Sequence, residues 1–216
     1  LVSPVDGDSS SEPAAPWRVV GLPRQAMPLT RFAVVALGGE RVLRIEAERA
    51  YGNLVHALKG ARAGTLAWRW RVDQPANGAD LRQKSGDDTA LKVCAFFDMP
   101  LARVPFVERQ LLRMASSRSG ETLPTATLCY VFDAGLAPGT LLRNAYTQRV
   151  RYIAAGGAPK QWRNEQHDLA ADFLRAFGDE SPEVPALSAI VIGADSDNTG
   201  SHSIGHVSDL RLQSAP

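Results

Sequence analysis

Apolar and polar residues alternate along most of this chain in short runs, and a few runs are apolar throughout. Alternation with a period of two places successive side chains on opposite faces of an extended chain, which is typical of a half-buried β-strand. Turns rich in Gly, Asn-Gly or Pro-Gly separate the runs. The pattern predicts nine strands, at residues 32–37, 42–46, 54–58, 65–72, 90–98, 125–132, 149–154, 187–194 and 206–212.

Two segments have helical periodicity instead, residues 105–116 and 169–177. In the first, a single stripe contains Val107, Leu111 and Met114. In the second, Asp168 is a suitable N-cap and Gly178 follows the last helical residue. Because strands and helices do not alternate, the order of elements predicts an all-β fold: a two-sheet, antiparallel, jelly-roll-like β-sandwich with two short helices inserted.

Residues 1–30 differ in composition from the rest of the chain. The first sixteen, LVSPVDGDSSSEPAAP, are small, polar and rich in proline, as in a linker that remains after a targeting segment is removed. A chain cut at a convenient point is the alternative. We therefore expect a linker and N-terminal extension over residues 1–30, a single β-sandwich domain over 31–216, and a periplasmic or secreted location.

The 216 residues include 24 basic and 23 acidic side chains, so the net charge provides no overall attraction to nucleic acid. No apolar run approaches the roughly 20 residues that span a bilayer. We expect no nucleic-acid partner and no membrane span. The composition does not indicate an oligomeric state.

The two cysteines, Cys94 and Cys129, both lie in predicted strands. If those strands pair in register, one structural disulfide forms in an oxidising compartment. Two buried free thiols are the alternative, and the sequence does not decide between them. Nothing in the neighbouring sequence would stabilise a thiolate, which argues against a catalytic cysteine.

Basic residues occupy alternate positions on several predicted strands. In LAWRWRVD, the bulky Trp68 and Trp70 face one way, while Arg69 and Arg71 face the other. Lys92, Arg149 and Arg151 lie on two further predicted strands. If these strands share one sheet face, they form a basic groove for an acidic ligand. A solvated face with cross-strand ion pairs is the alternative.

Two polar turns flank predicted central strands. The first contains Lys84, Asp87 and Asp88, and the second contains Asp195, Asp197 and Asn198. We expect the two turns to lie near each other and interpret them as parts of a ligand-binding rim, with simple turn capping as the alternative. In the second turn, oxygen-bearing side chains are spaced as in calcium loops, so its three residues are also candidate Ca²⁺ ligands. No other cofactor is expected.

Aromatic and amide side chains supply a further set of candidate ligand contacts. Asn144 and Tyr146 follow a Pro-Gly turn, Tyr130 lies in the predicted strand at residues 125–132, and Trp162 supplies a further ring. Aromatic rings offer apolar area to the faces of sugars, and amide groups orient hydroxyls by hydrogen bonding. These residue types favour a carbohydrate ligand.

A series of motifs resembles one bacterial family. In chain order they are WRWRVD, KSGDDTALKVCAFFD, LCYVF, NAYTQRVR, QWRNEQHDLAADFLRAFG, DSDNTG and VSDLRL. In this order the chain is similar, over residues 32–212, to domain-of-unknown-function family number three thousand and forty-seven. The resemblance implies an exported bacterial protein with a jelly-roll sandwich. The family has no known activity, so the resemblance assigns no role to any residue.

Three functions are consistent with these features. We predict first an exported ligand-binding β-sandwich protein that binds a carbohydrate or another envelope ligand, with an acidic ligand favoured if the basic residues cluster. The second hypothesis is a polysaccharide lyase or glycoside hydrolase that acts from a concave sheet face. The third is a structural envelope protein that binds another protein. A jelly roll supports all three, so the sequence does not decide whether the protein is an enzyme.

Overall fold

The computed structural model describes residues 2, 5, 12–119 and 123–213, with the side chains of residues 118 and 119 excepted. Over these residues the chain forms twelve β-strands and two α-helices. The strands are β1 (Arg18–Val20), β2 (Arg31–Leu37), β3 (Glu40–Glu48), β4 (Tyr51–Ala61), β5 (Thr65–Gln74), β6 (Thr89–Phe97), β7 (Ala126–Val131), β8 (Leu141–Arg143), β9 (Val150–Ala154), β10 (Arg163–Asp168), β11 (Leu187–Asp195) and β12 (His202–Gln213). The helices are α1 (Phe106–Ser119) and α2 (Leu169–Phe177).

The strands form two sheets. The seven-stranded sheet has the order β1-β4-β11-β6-β7-β9-β8, and the five-stranded sheet has the order β10-β5-β12-β3-β2. The predicted all-β, two-sheet, jelly-roll-like sandwich is therefore confirmed. One pair departs from the predicted antiparallel pattern: β7 and β9 are parallel. They run the same way because β8 intervenes in the chain and pairs antiparallel with the far side of β9.

Alternate residues of the central strands fill the space between the sheets. On β5, Trp68 and Trp70 face inward and are 2% and 0% exposed. The residues of β6 that meet this inner layer are Leu91, Val93, Ala95 and Phe97. The Trp68 ring centroid lies 5.4 Å from that of Trp70 and 5.3 Å from that of Tyr130. The alternation on β5 therefore predicted the inward face of this strand correctly.

The outer face of the seven-stranded sheet is also buried. Because the odd-numbered residues of β6 point into the sandwich, Cys94 points outward, and it forms a disulfide with Cys129 directly opposite on β7. Val191 and Tyr152 extend this row across β11 and β9, and Leu81 from the β5–β6 loop belongs to the same apolar cluster. Of the two alternatives for the cysteines, the structure has the disulfide. β6 is apolar on both faces because both faces are covered.

The two helices differ in how they pack. α2 begins and ends where predicted: Oδ1 of Asp168 accepts the N–H groups of Ala170 and Ala171 at 2.9 and 3.1 Å, and Gly178 is the C-cap. Its buried residues are Leu169, Phe173, Ala176 and Phe177. α1 is slightly longer than predicted, and its side chains Val107, Leu111 and Met114 face solvent. Neither helix, over the residues described, is long and apolar enough to cross a membrane.

The sandwich begins inside the segment that composition assigns to a linker. β1 pairs with β4, and Val19 lies opposite Leu54. Trp17, just before β1, is 5% exposed, and its ring centroid lies 5.0 Å from that of His56. Trp17 and β1 therefore belong to the folded sandwich.

Candidate functional site

A buried ion pair lies on the outer face of the seven-stranded sheet. Lys92 points outward from β6, and its Nζ donates to Oδ2 of Asp195 at 2.7 Å. Asp195 ends the neighbouring strand β11, and its Oδ1 accepts the N–H of Thr89 at 2.8 Å. Lys92 and Asp195 are 6% and 5% exposed. Burial opposes the charge on Lys92, but the carboxylate of Asp195 outweighs burial and raises the pKa of Lys92, so the ammonium group stays charged.

A hydrogen-bonded triad adjoins this ion pair. Nδ2 of Asn144, which follows β8, donates to Oδ2 of Asp87 at 2.6 Å and to the hydroxyl oxygen of Tyr152 at 2.7 Å. The hydroxyl of Tyr152, on β9, donates to Oδ1 of Asp87 at 3.1 Å. Burial raises the pKa of Asp87, partly offset by the hydrogen bond from Asn144. We refer to Asp87, Lys92, Asn144, Tyr152 and Asp195 as the Lys92 cluster.

The two polar turns are in direct contact, which confirms that they lie near each other. Oδ2 of Asp88 accepts hydrogen bonds from the N–H and the hydroxyl of Thr199, at 2.7 and 2.6 Å. Oδ1 of Asp88 accepts the N–H of Asn198 at 3.2 Å. Asp88 thus holds the β11–β12 turn, whereas the neighbouring Asp87 binds Asn144 and Tyr152. The two adjacent carboxylates therefore have different structural roles.

The surface beside the Lys92 cluster carries a rim formed by Lys84, Tyr146 and Asn198. Tyr146 is 58% exposed, and its hydroxyl oxygen lies 2.8 Å from Oδ1 of Asn198 and 3.1 Å from the carbonyl oxygen of Lys84. Nζ of Lys84 lies 5.3 Å from the centroid of the Tyr146 ring. Oδ1 of Asn144 accepts the N–H of Tyr146 at 2.9 Å, which connects the rim to the cluster. These contacts hold an aromatic ring at the surface in one orientation.

The candidate calcium ligands do not fit a calcium site. Both carboxylate oxygens of Asp195 are already engaged, one by Lys92 and the other by the N–H of Thr89. Oδ1 of Asn198 lies within hydrogen-bond distance of the Tyr146 hydroxyl. In the part of the chain that the structure describes, no group of three or more His, Cys, Asp or Glu side chains is placed to hold a metal ion. Asp195, Asp197 and Asn198 therefore do not present a set of free oxygens to one cation.

The predicted basic groove is not formed, because its arginines lie on different sheets. Arg69 and Arg71 project from the outer face of β5, in the five-stranded sheet. Nε of Arg69 donates to Oγ of Ser208 at 2.9 Å, and Nε of Arg71 donates to Asp73 at 2.5 Å. The guanidinium carbon of Arg69 lies 4.7 Å from the centroid of the Trp162 ring. The solvated face with ion pairs, the alternative interpretation, is the one observed.

Arg151 lies on β9, in the other sheet, and Arg149 directly precedes that strand. Both point away from the outer face, since the residues that alternate with them, Val150 and Tyr152, belong to the outer apolar cluster. Both are buried, and Glu180 pairs with them at 2.6 and 3.0 Å. Tyr130 also points into the sandwich, where it is fully buried. The structure does not bring these three side chains to the Lys92 cluster.

Sequence reasoning did not find Tyr51 or Tyr152. Tyr51 begins β4 opposite Asp195, and Nζ of Lys92 lies 5.2 Å from its ring centroid. A signal for Tyr152 existed, because alternation places it on the face opposite Arg151. Tyr51 gave no such signal, because its position depends on the register between β4 and β11.

The chain belongs to a family of proteins of unknown function, DUF3047, which matches residues 15–211. This membership confirms the family resemblance found from the motifs. A comparison with curated proteins found no match.

The chain is also similar to several solved structures at low sequence identity. Endoglucanase Cel12A from Rhodothermus marinus matches with a TM-score of 0.48 and 13% identity over 92% of each chain. A family 12 xyloglucanase from Bacillus licheniformis matches with a TM-score of 0.48 and 8% identity over 100% of this chain and 99% of that one. A family 29 carbohydrate-binding module complexed with cellulohexaose has a TM-score of 0.37 and 11% identity, over 97% of this chain and 88% of that one. Likeness at this level assigns no function.

Proposed function

We propose that the protein binds carbohydrate at the surface formed by the Lys92 cluster and its rim. The observation that carries this proposal is the exposed ring of Tyr146, which contacts from Asn198 and Lys84 hold in place. A ring fixed at the surface offers apolar area to the face of a sugar and loses little conformational freedom on binding. Amide, ammonium and carboxylate groups beside the ring supply hydrogen-bond partners for sugar hydroxyls.

The charges near the ring favour a neutral glycan over an acidic one, because the single ammonium group over the ring, that of Lys84, is outnumbered by three carboxylates. Lys92 is buried and paired, so it does not attract a charged ligand from solution. Burial, followed by the negative charges of Asp87, Asp197 and Asp88, raises the pKa of Tyr146. A uronic acid at this ring would meet the same carboxylates. The sequence favours an acidic ligand only if the basic residues cluster, and the structure places no cluster of arginines at this surface.

Three variants test the role of Tyr146. Tyr146→Ala removes the ring, and we expect it to weaken binding of a neutral oligosaccharide about fivefold, because an aromatic contact contributes on the order of 1 kcal/mol. Tyr146→Phe keeps the ring and should bind nearly as well as the wild type. Phe106→Ala is the matched control, because it removes an equally exposed ring (67%) from α1.

The measurement is isothermal titration with glycans first identified on an array, at low and high salt. Equal affinities of the wild type and Tyr146→Ala would contradict the assignment of the site. Absence of any array signal for the wild type would contradict carbohydrate binding itself. A neutral ligand should also bind equally well at both salt concentrations, because salt screens charge pairs.

A second candidate function, glycoside hydrolysis, is favoured by Asp197. Its Oδ1 atom is buried and has no hydrogen-bond partner among the residues described. Burial, with the added charge of Asp195, raises the pKa of the Asp197 carboxyl group. A carboxylic acid of raised pKa is what the general acid of a glycosidase requires. Loss of turnover in Asp197→Asn with binding retained would support catalysis, and absence of turnover of every bound glycan by the wild type would contradict it.

We also propose that the protein acts in the periplasm or outside the cell. The Cys94–Cys129 disulfide supports this proposal, because structural disulfides persist in oxidising compartments. Cell fractionation combined with thiol labelling provides the test. Protein from the periplasm or medium should resist labelling until it is reduced, whereas a reduced protein confined to the cytoplasm would contradict export.

A further inference from the structure

Helix α1 presents large apolar side chains to solvent. Val107, Leu111 and Met114 follow one another at spacings of four and three, so they share one face of the helix. They are 68%, 55% and 52% exposed. Phe106, the first residue of α1, is also largely exposed. We call these four residues the apolar stripe. An exposed apolar surface of this kind marks an interaction site on a globular protein.

A second face of α1, about 100° around the helix from Val107 and Leu111, is attached to the rest of the protein. Leu112 is buried, and the carboxylate of Glu108 lies 3.5 Å from Nε of Arg149. The hydroxyl of Thr147 donates to the same carboxylate at 3.4 Å. The apolar stripe is therefore directed outward by contacts on the inner face of the helix.

The charge of this segment decides between kinds of partner. Residues 101–117 contain three arginines, at positions 103, 109 and 113, and a single acid, Glu108. Because Glu108 pairs with Arg149, this segment has an excess of positive charge. Arg113 is exposed, and the guanidinium carbon of Arg109 lies 5.7 Å from the centroid of the Phe106 ring. A second copy of this helix would bring like charges together, whereas an anionic lipid surface complements both the stripe and the arginines.

We propose that α1 docks the protein on an anionic lipid surface. The helix lies in the plane of the interface, with the apolar stripe in the boundary between headgroups and acyl chains. Arg109 and Arg113 then contact the lipid phosphates. Association of this kind is peripheral and reversible, because a helix of 14 residues is about 21 Å long and buries one face only.

The test is co-sedimentation with vesicles of phosphatidylcholine, alone or mixed with phosphatidylglycerol. We expect the wild type to bind the anionic vesicles and to dissociate as salt rises. The triple variant Val107→Ser/Leu111→Ser/Met114→Ser should weaken binding at least about tenfold, because binding scales with buried apolar area. Arg109→Gln/Arg113→Gln should weaken it about fivefold for each arginine removed.

Leu174→Ser is the matched control, because Leu174 is a comparably exposed leucine (43%) on the other helix, α2. It should bind anionic vesicles like the wild type, and thermal melting should show that all variants remain folded. Wild-type protein that binds neither kind of vesicle would overturn the proposal, as would an equal loss of binding in Leu174→Ser. Light scattering that shows a dimer broken by the triple variant would assign the stripe to a second copy instead.

Discussion

The outer faces of the two sheets carry the same kinds of residue in opposite environments. On the five-stranded sheet, alternating positions of β5 place Arg71 beside Asp73, and both side chains remain about one-quarter exposed. On the seven-stranded sheet, the corresponding position of β6 places Lys92 against Asp195, where both side chains are buried. Leu81 and Asp87 of the β5–β6 loop pack on the second face, whereas the first remains in contact with water.

This difference shows that a basic residue at an alternate position of a strand does not by itself indicate whether its side chain is solvated or buried. A charge pair on a solvated face contributes little to stability, because water already solvates both partners. Forming a buried ion pair costs desolvation energy. Removing one partner leaves the other charge buried, with neither a counter-ion nor water to stabilise it.

The largest effect should come from breaking the buried pair. Asp195→Ala leaves the ammonium group of Lys92 buried without its carboxylate, and we expect the free energy of unfolding to fall by about 3–5 kcal/mol. Asp73→Ala, which removes the partner of Arg71 on the other sheet, should cost at most about 1 kcal/mol. Urea unfolding followed by tryptophan fluorescence measures both.

A second variant makes the same test sharper. Adding Lys92→Met to Asp195→Ala removes the uncompensated charge and should recover part of the lost stability. Equal losses in Asp195→Ala and Asp73→Ala would mean that the two faces are solvated alike.

The sequence was sufficient for most of the fold because alternation and turn chemistry are local signals. The inward face of β5, the N-cap Asp168 and both helices were predicted from neighbouring residues alone. The strands β1, β8 and β10 were not predicted. β1 and β8 have three residues each, too few to show a period of two, and β10 (RNEQHD) has no apolar residue to alternate with its polar ones. β1 and β10 form by pairing with β4 and β5, which are distant from them in the chain.

The candidate site was predicted in part for the same reason. Asp88 and Thr199 meet because each polar turn adjoins a central strand, and that much follows from the order of elements. Which arginines accompany them depends on the sheet to which each strand belongs, and no local pattern contains that information. The basic groove therefore failed as a prediction, while the contact between the polar turns was confirmed.

The disulfide gives the seven-stranded sheet a second source of stability that β5 and its neighbours do not share. Cys94 and Cys129 are separated by 35 positions. Replacing both by alanine should lower the free energy of unfolding by about 3–4 kcal/mol, since the crosslink restricts the unfolded chain. Wild-type protein unfolded in the presence of a reductant should match the double variant. A reductant that leaves the wild-type midpoint unchanged would show that the bridge is absent in solution.

The pH dependence of stability should have opposite signs on the two faces. Burial would raise the pKa of Glu46, on the five-stranded sheet, but hydrogen bonds with Arg44 and His202 outweigh it and lower this pKa. The stabilisation from Glu46 is therefore present above its unfolded pKa and is lost as pH falls through the folded value. Burial raises the pKa of Asp87, so its contribution is favourable at low pH and is lost as pH rises through the folded value.

Two amide variants measure these signs. Relative to the wild type, Glu46→Gln should lose stability as pH rises up to about 4.3, the unfolded pKa of a glutamate, and the difference should stay constant above it. Asp87→Asn should instead gain stability as pH rises above about 3.9, the unfolded pKa of an aspartate. The free energies of unfolding, measured at several pH values between acid and neutral, give the two differences directly. Curves of the same sign would contradict the contrast between a solvated and a covered face.

The smallest effect should come from the most exposed pair. On the edge strand β2, Nη2 of Arg31 lies 3.1 Å from Oε1 of Glu46, and the Arg31 side chain is 69% exposed. Arg31→Ala should therefore change the free energy of unfolding by about 0.5 kcal/mol or less, and high salt should abolish the difference because exposed charges are screened within about 10 Å at 0.1 M. The loss in Asp195→Ala should persist at the same salt concentration, because salt does not reach a buried pair. A salt-independent loss in Arg31→Ala would place this edge of the five-stranded sheet in the same class as the Lys92 cluster.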